Sequence, residues 1–154
     1  MPILGTRTLH WADESACEAT ARDLAARAAI RDACIELRGA LGAGKTTFAR
    51  HLLRALGVEG RVKSPSYALM EPYRVGGLDA WHFDFYRFDD PHEWEDAGFR
   101  DVFAQPGLKL VEWPERAADL LPEADLRVAI ELVDETRRRV VFEAGTARGL
   151  ELLG

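Results

Sequence analysis

The sequence is poor in several features that would assign a chain to a particular class. Only two of its 154 residues are cysteines, Cys17 and Cys34, and they lack the close spacing of paired metal ligands. We therefore expect neither a disulfide framework nor a zinc site, but two reduced thiols in the core. There is also no apolar leader and no run of about 20 apolar residues, so signals for export and membrane insertion are missing. The expected location is the cytoplasm, with no membrane contact.

The sequence also has no excess of positively charged residues. Lys and Arg number 20 against 26 Asp and Glu, which gives a net charge of −6 at pH 7. A protein that binds nucleic acid by itself usually presents a basic face that neutralises phosphates. We therefore expect no direct contact with DNA, and any role in RNA chemistry would have to run through partner proteins.

The length and pattern of the chain predict one domain over residues 1–154, because 47% hydrophobic residues suffice for a single core. Helical spacing begins near Ser15, which could form a capping box with Glu18. A strand is predicted over 33–37, and a helix that Gly57 could close follows the next loop. Residues 62–73 are predicted mostly as loop. Further predicted elements are strands over 81–88 and 108–111, helices over 91–103 and 117–121, and a β-hairpin formed by 126–133 and 138–143.

The loop after the first of these strands carries a phosphate-binding motif. Residues 39–46 read GALGAGKT and match the Walker A pattern GxxxxGK[ST] at every fixed position. Its glycines would let backbone N–H groups approach phosphate oxygens, while Lys45 would contact the β- and γ-phosphates and Thr46 would offer its hydroxyl to Mg²⁺. The alternative is a glycine-rich turn before a helix with an exposed lysine. The predicted nucleotide-binding residues here are Gly39, Leu41, Gly42, Ala43, Gly44, Lys45, Thr46 and Thr47.

A P-loop preceded by a strand and followed by a helix predicts an α/β fold of the P-loop NTPase type. We expect a three-layer sandwich with a mostly parallel central sheet and a C-terminal β-hairpin. Such a site also needs an acid near the metal, and Glu112 follows an apolar strand at the end where ligands bind in open α/β sheets. Asp84 shares one strand face with His82 and Tyr86. Both acids have simpler explanations: Glu112 as a solvated carboxylate, and Asp84 as the partner of His82 at an edge strand.

Two further segments are weaker candidates. The polar segment 63–67, KSPSY, lies where many P-loop proteins keep a loop that senses the γ-phosphate, although an ordinary turn has the same composition. The run 137–139 is three arginines, which could approach a triphosphate or simply solvate a hairpin strand.

Four segments together resemble the TsaE family of bacterial ATPases. They are GALGAGKTT at 39–47, VKSPSY at 62–67, HFDFYR at 82–87 and VEWPE at 111–115, and their order and spacing cover most of the chain. Walker A alone is shared by many families, whereas HxDxYR followed by EWPE is specific. The chain departs from the usual family pattern at Ala40, where Asp is common, and at Ser66, where Thr is common; neither change removes a phosphate ligand.

The resemblance implies a set of site residues. Lys45 and Thr46 would bind phosphate and Mg²⁺, Glu112 would be the second protein group on the metal, and Asp84 would be important for hydrolysis. It also implies that Ser66 belongs to the first switch loop. The remaining residues implied to approach the nucleotide are Glu14, Trp113 and Arg137.

The resemblance further implies that the chain hydrolyses ATP with Mg²⁺ and serves the TsaD and TsaB proteins. We expect slow hydrolysis by the chain alone, because its sequence offers no obvious arginine finger and a partner could complete the site. Those proteins place a threonylcarbamoyl group on an adenosine of tRNA, so this chain would meet tRNA only indirectly. Two alternatives stay open: a small-molecule kinase that uses Asp84 as base, and a non-hydrolysing module whose bound ATP governs association.

Overall fold

A computed structural model of the chain describes residues 2–65 and 68–154. Within this part the strands are β1 (Gly5–Trp11), β2 (Cys34–Arg38), β3 (Met70–Val75), β4 (Leu78–Asp84), β5 (Leu108–Glu112), β6 (Leu126–Leu132) and β7 (Arg138–Ala144). The helices are α1 (Glu14–Ala25), α2 (Lys45–Ala55), α3 (Pro91–Asp96), α4 (Phe99–Ala104) and α5 (Ala147–Leu153), with short 3₁₀ turns at Ala28–Asp32 and Pro114–Ala117. The strands form one sheet in the order β1-β7-β6-β2-β5-β4-β3.

The sheet mixes parallel and antiparallel pairs, so the expectation of a mostly parallel sheet is wrong. The central strands β6, β2, β5 and β4 are parallel neighbours. The pairs β1–β7, β6–β7 and β3–β4 are antiparallel. Hairpins are the physical reason: Gly76 and Gly77 join β3 to β4 with φ of 54° and 81°, the conformation that a two-residue hairpin turn requires. The predicted C-terminal hairpin is confirmed as β6 and β7.

Buried apolar side chains form two clusters on opposite faces of the sheet. On β5, Leu108 and Leu110 belong to one cluster and Val111 to the other, because successive side chains of a strand point to opposite faces. The first cluster includes α1, α2 and α5 through Leu24, Phe48, Leu52 and Leu152. The second includes α3 and α4 through Trp94 and Phe99. Helices therefore pack on both faces of the sheet.

Several predicted boundaries differ from the structure. The carboxylate of Asp13 caps α1, so Ser15 lies inside the helix and the predicted capping box with Glu18 is wrong. The helix predicted over 91–103 is divided into α3 and α4 at Gly98, which has φ of 70° and therefore ends the first helix.

Other predicted elements are shorter, displaced or additional. The loop prediction for 62–73 missed β3, and the strand predicted over 81–88 ends at Asp84. A 3₁₀ turn precedes the place where a helix was predicted over 117–121. The strand over 33–37, the helix after the loop and the strand over 108–111 are confirmed as β2, α2 and β5.

Cys17 and Cys34 are buried free thiols, as expected from the sequence. Burial raises the pKa of both to about 12. Among the described residues, none of the helices has the length and apolar character needed to span a bilayer.

Candidate nucleotide and metal site

The loop from residue 39 to residue 44 joins the carboxyl end of β2 to the amino end of α2. Gly44 begins the helix with φ of 112° and no side-chain cap, which leaves first-turn N–H groups available for an anion. Gly42 also has a positive φ, 82°, and a Cβ at either glycine would meet open space. At Gly39, by contrast, a Cβ would lie 2.6 Å from the carbonyl oxygen of Ile130. The glycines therefore give the loop both its turn and its close approach to β6.

Lys45 is almost completely buried at the start of α2, with 4% of its surface exposed. Its ammonium donates to the carbonyl oxygens of Gly39 and Ala40, and it lies 3.7 Å from the ring centroid of Trp113. Burial lowers the pKa of Lys45, and the nearby carboxylate of Glu112 opposes this by attracting the proton. A buried cation beside the first-turn N–H groups of α2 is suited to an anionic ligand.

Thr46 and Glu112 form the acid and hydroxyl pair that the sequence predicted. The Thr46 hydroxyl donates to the Glu112 carboxylate, with Oγ1 at 2.9 Å from Oε1 and 2.8 Å from Oε2. Because a hydroxyl has one proton and two lone pairs, this contact leaves oxygen lone pairs on Thr46 free. Hydroxyl and carboxylate oxygens are ligands that Mg²⁺ accepts, so these residues fit the expected ion.

Asp84 ends β4 beside Glu112, its partner in the parallel register with β5. The Ser64 hydroxyl donates to Oδ2 of Asp84, and the backbone N–H of Tyr86 donates to Oδ1 at 3.0 Å. Only 9% of Asp84 is exposed. Both of its oxygens are therefore oriented, and the carboxylate has a fixed position at the same sheet edge as Glu112.

Trp113 follows Glu112 in the left-handed conformation, with φ of 55°. A non-glycine residue in this region is uncommon and indicates a local constraint. Its ring contacts Tyr86 edge-on, with centroids 4.8 Å apart, and carries the Lys45 ammonium on its face. The strained backbone thus places an aromatic ring beside the glycine-rich loop.

These residues line one cavity of about 470 Å³. The loop side is formed by the predicted residues Leu41, Gly42, Gly44, Lys45, Thr46 and Thr47, and the strand-end side by Ser64, Asp84, Tyr86, Arg87, Glu112 and Trp113. Parallel strands deliver their carboxyl ends to one edge of a sheet, which is why residues so distant in sequence converge here.

A second cavity of about 240 Å³ adjoins the first at Gly44 and Thr47. Glu14 lines it together with Ala43, over an apolar floor that includes Trp11. The Glu14 carboxylate also lies 2.9 Å from the imidazole of His51. The structure therefore brings Glu14 close to the P-loop, in a compartment separate from Glu112.

Two of the predicted nucleotide-binding residues, Arg137 and Ser66, are not among the described residues that line either cavity. The Arg137 guanidinium pairs with Asp134 on the hairpin, with a closest contact of 2.6 Å, and its side chain is 62% exposed. Its neighbour Arg138 instead donates to the carbonyl oxygen of Ala43 at 2.9 Å and lines the second cavity. Ser66 lies outside the described residues, so its predicted role stays a prediction.

Sequence reasoning missed two contacts at the site. His82 is fully buried and its Nε2 lies 2.6 Å from Oε2 of Glu112, so the suggested pairing with Asp84 at an edge strand is wrong. Strand β4 is also not an edge, because β3 covers it. The sequence does not single out Arg138, because three consecutive arginines give no signal for which one turns inward.

Comparison with known proteins agrees with this geometry. A family model described as threonylcarbamoyl adenosine biosynthesis protein TsaE matches residues 11–140. The chain belongs to the TsaE family. TsaE proteins take their name from the biosynthesis of threonylcarbamoyladenosine in tRNA.

Individual TsaE relatives match the same part of the chain. The tRNA threonylcarbamoyladenosine biosynthesis protein TsaE of Haemophilus influenzae is 47% identical over 103 residues, which are 67% of this chain and 65% of that protein. The Bacillus subtilis protein of that name is 36% identical over 110 residues, 71% of this chain and 68% of the relative. The crystal structure of Bacillus subtilis YdiB superposes with a TM-score of 0.81 at 26% identity, covering 99% of this chain and 95% of YdiB.

Proposed function

We propose that this TsaE-family chain binds Mg-ATP in the larger cavity and hydrolyses it. The observation that carries the proposal is the convergence of Lys45, the Thr46–Glu112 pair and Asp84 on one cavity at the amino end of α2. Cation, metal ligands and a fixed carboxylate are the groups that phosphoryl transfer to water requires.

Some of these residues would bind the phosphates and the metal, and Asp84 would assist the reaction. Lys45 and the N–H groups that begin α2 stabilise the negative charge of the β- and γ-phosphates, and burial strengthens their effect. Mg²⁺, held by Thr46 and Glu112, would neutralise charge on the same phosphates. Asp84 would orient the attacking water with a carboxylate that is held in place at both oxygens, Oδ2 by the Ser64 hydroxyl and Oδ1 by the Tyr86 N–H. The adjoining cavity, which shares Gly44 and Thr47 with the larger one and is lined by Glu14 and Trp11, would receive the rest of the nucleotide.

The proposed pathway is threonylcarbamoyladenosine formation on tRNA, together with TsaD and TsaB proteins in the cytoplasm. The names of the TsaE relatives support the pathway. The net charge of −6 supports indirect rather than direct contact with tRNA. This chain would supply ATP hydrolysis to the assembly and would not transfer the threonylcarbamoyl group itself.

Phosphate release tests the hydrolysis directly. The chain is incubated with γ-labelled ATP, with and without Mg²⁺, alone and with TsaD and TsaB proteins. We expect Mg²⁺-dependent inorganic phosphate that disappears in Lys45→Ala but persists in Arg74→Ala, a control on the edge strand whose side chain is 76% exposed. Label on a small molecule would overturn hydrolysis in favour of a kinase. ATP-dependent association without phosphate release would overturn it in favour of a switch module.

A further inference from the structure

His82 is a buried polar residue to which the proposed chemistry assigns no task. It lies on β4 two residues before Asp84, and none of its surface is exposed. Its Nε2 atom is 2.6 Å from Oε2 of Glu112. Its other ring nitrogen, Nδ1, has no hydrogen-bond partner among the described residues. Burying an imidazole with one nitrogen unsatisfied is costly, so the contact with Glu112 has to compensate for it.

The chemistry of the two groups gives the direction of this hydrogen bond. An ionised carboxylate only accepts hydrogen bonds, so the proton lies on Nε2 and His82 donates to Glu112. Glu112 then accepts from two side chains, the Thr46 hydroxyl on both oxygens and the His82 imidazole on Oε2 alone. The imidazole, held inside the sheet, therefore biases the carboxylate toward one rotation.

We propose that His82 is a positioning residue that holds the Glu112 carboxylate in the orientation needed for the metal. This inference rests on the proposed Mg-ATP site. Oε2 is shared between His82 and Thr46, whereas Oε1 contacts Thr46 alone and would keep lone-pair capacity for the ion. Groups that orient metal-binding carboxylates from behind are typically worth about 10–100-fold in metal affinity or activity.

The test measures Mg²⁺ dependence of ATP binding at one fixed pH. ATP affinity is determined by calorimetry over a Mg²⁺ titration and again with EDTA, for wild type, His82→Gln, His82→Asn and His82→Leu. A Gln amide nitrogen can reach the place of Nε2, whereas Asn is too short and Leu has no donor. We expect the Mg²⁺ midpoint to rise about tenfold or more in the Asn and Leu variants, to stay near wild type in Gln, and ATP affinity in EDTA to change less than twofold.

A structural role would give a different result. Equal weakening of ATP binding with and without Mg²⁺, or an unchanged midpoint in His82→Asn, would overturn the proposal; if His82→Leu does not fold, the Gln and Asn pair decides alone. The double variant Glu112→Gln, His82→Asn should have the same Mg²⁺ midpoint as Glu112→Gln alone, because the carboxylate that His82 positions is already gone. Wild-type binding that ignores Mg²⁺ would instead refute the proposed metal site itself.

Discussion

Single residues at the cavity carry charge in places where water is largely excluded. Lys45, Asp84 and Glu112 are each less than one-tenth exposed, yet each has specific partners. Buried charges persist in proteins when they are paired and hydrogen-bonded, or when function requires them. The three groups meet at one sheet edge, which favours a ligand site over separate structural ion pairs.

A variant of Asp84 can separate an effect on the rate of hydrolysis from an effect on ATP affinity. Asp84→Asn keeps the shape of the side chain and removes its charge, so it should lower the rate of phosphate release about 100-fold or more, as expected for a carboxylate that orients the attacking water and can accept its proton. ATP affinity should change by less than about threefold, because Asp84 is not a proposed phosphate ligand. Single-turnover hydrolysis and calorimetry measure the two quantities.

Asp79→Asn is the matched control on the same strand. Asp79 lies at the opposite end of β4 from Asp84, and its side chain is 41% exposed. It should behave as wild type in both measurements. Normal phosphate release by Asp84→Asn, or an equal loss in the Asp79 variant, would contradict the assigned role.

The sequence predicted Glu112 because it ends an apolar strand, and Asp84 because it lies on the polar face of an aromatic-rich strand. Glu112 follows three buried apolar or aliphatic positions of β5, and Asp84 stands among aromatic residues of β4. The partners of these acids were harder to predict. His82 joins Glu112 only through the register of β4 with β5, and register between distant strands is a tertiary property.

At the scale of secondary structure, prediction was reliable where one strong local pattern governed an element. The P-loop with its flanking strand and helix is such a case, and so is the β6–β7 hairpin. Strand β3 is not predicted because residues 62–73 contain two prolines and no sustained periodicity, yet Pro72 lies on an edge strand, where proline is tolerated. The Gly76-Gly77 pair was the available signal for that hairpin.

The break between α3 and α4 gives a prediction about stability. Gly98 has φ of 70° and ψ of 27°, and a Cβ there would meet no atom within 4 Å. Gly98→Ala should therefore lower the free energy of unfolding through backbone strain alone, by about 1–2 kcal/mol. Gly98→Asn should cost less, because Asn tolerates the left-handed conformation better. Urea denaturation measures both; an Asn variant as unstable as the Ala variant would contradict this explanation.

For the whole molecule, the buried thiols link stability to alkaline pH. Cys17 and Cys34 have a pKa of about 12 in the folded chain against an ordinary 9.0. The folded pKa lies above the unfolded one, so the stabilisation is complete below pH 9 and is lost as pH rises toward 12. The decline should approach about 1.4 kcal/mol per pH unit for each thiol.

The double variant Cys17→Ala, Cys34→Ala isolates this contribution from lysine and tyrosine titration. Its free energy of unfolding should fall less steeply between pH 8.5 and about 10.5 than that of wild type, whatever the constant offset from lost packing. Parallel slopes in urea denaturation would mean that the thiols are not protected by the fold.

The central claim for the whole molecule is that its Mg-ATP site serves tRNA modification. The most direct measurement is threonylcarbamoyladenosine formed on tRNA by purified TsaD and TsaB proteins, supplied with their threonylcarbamoyl donor, ATP and Mg²⁺, and with this chain as wild type, Lys45→Ala or Glu112→Ala. The account predicts repeated modification with wild type and failure with both variants. Modification that proceeds equally without the chain, or equally with the variants, would contradict it.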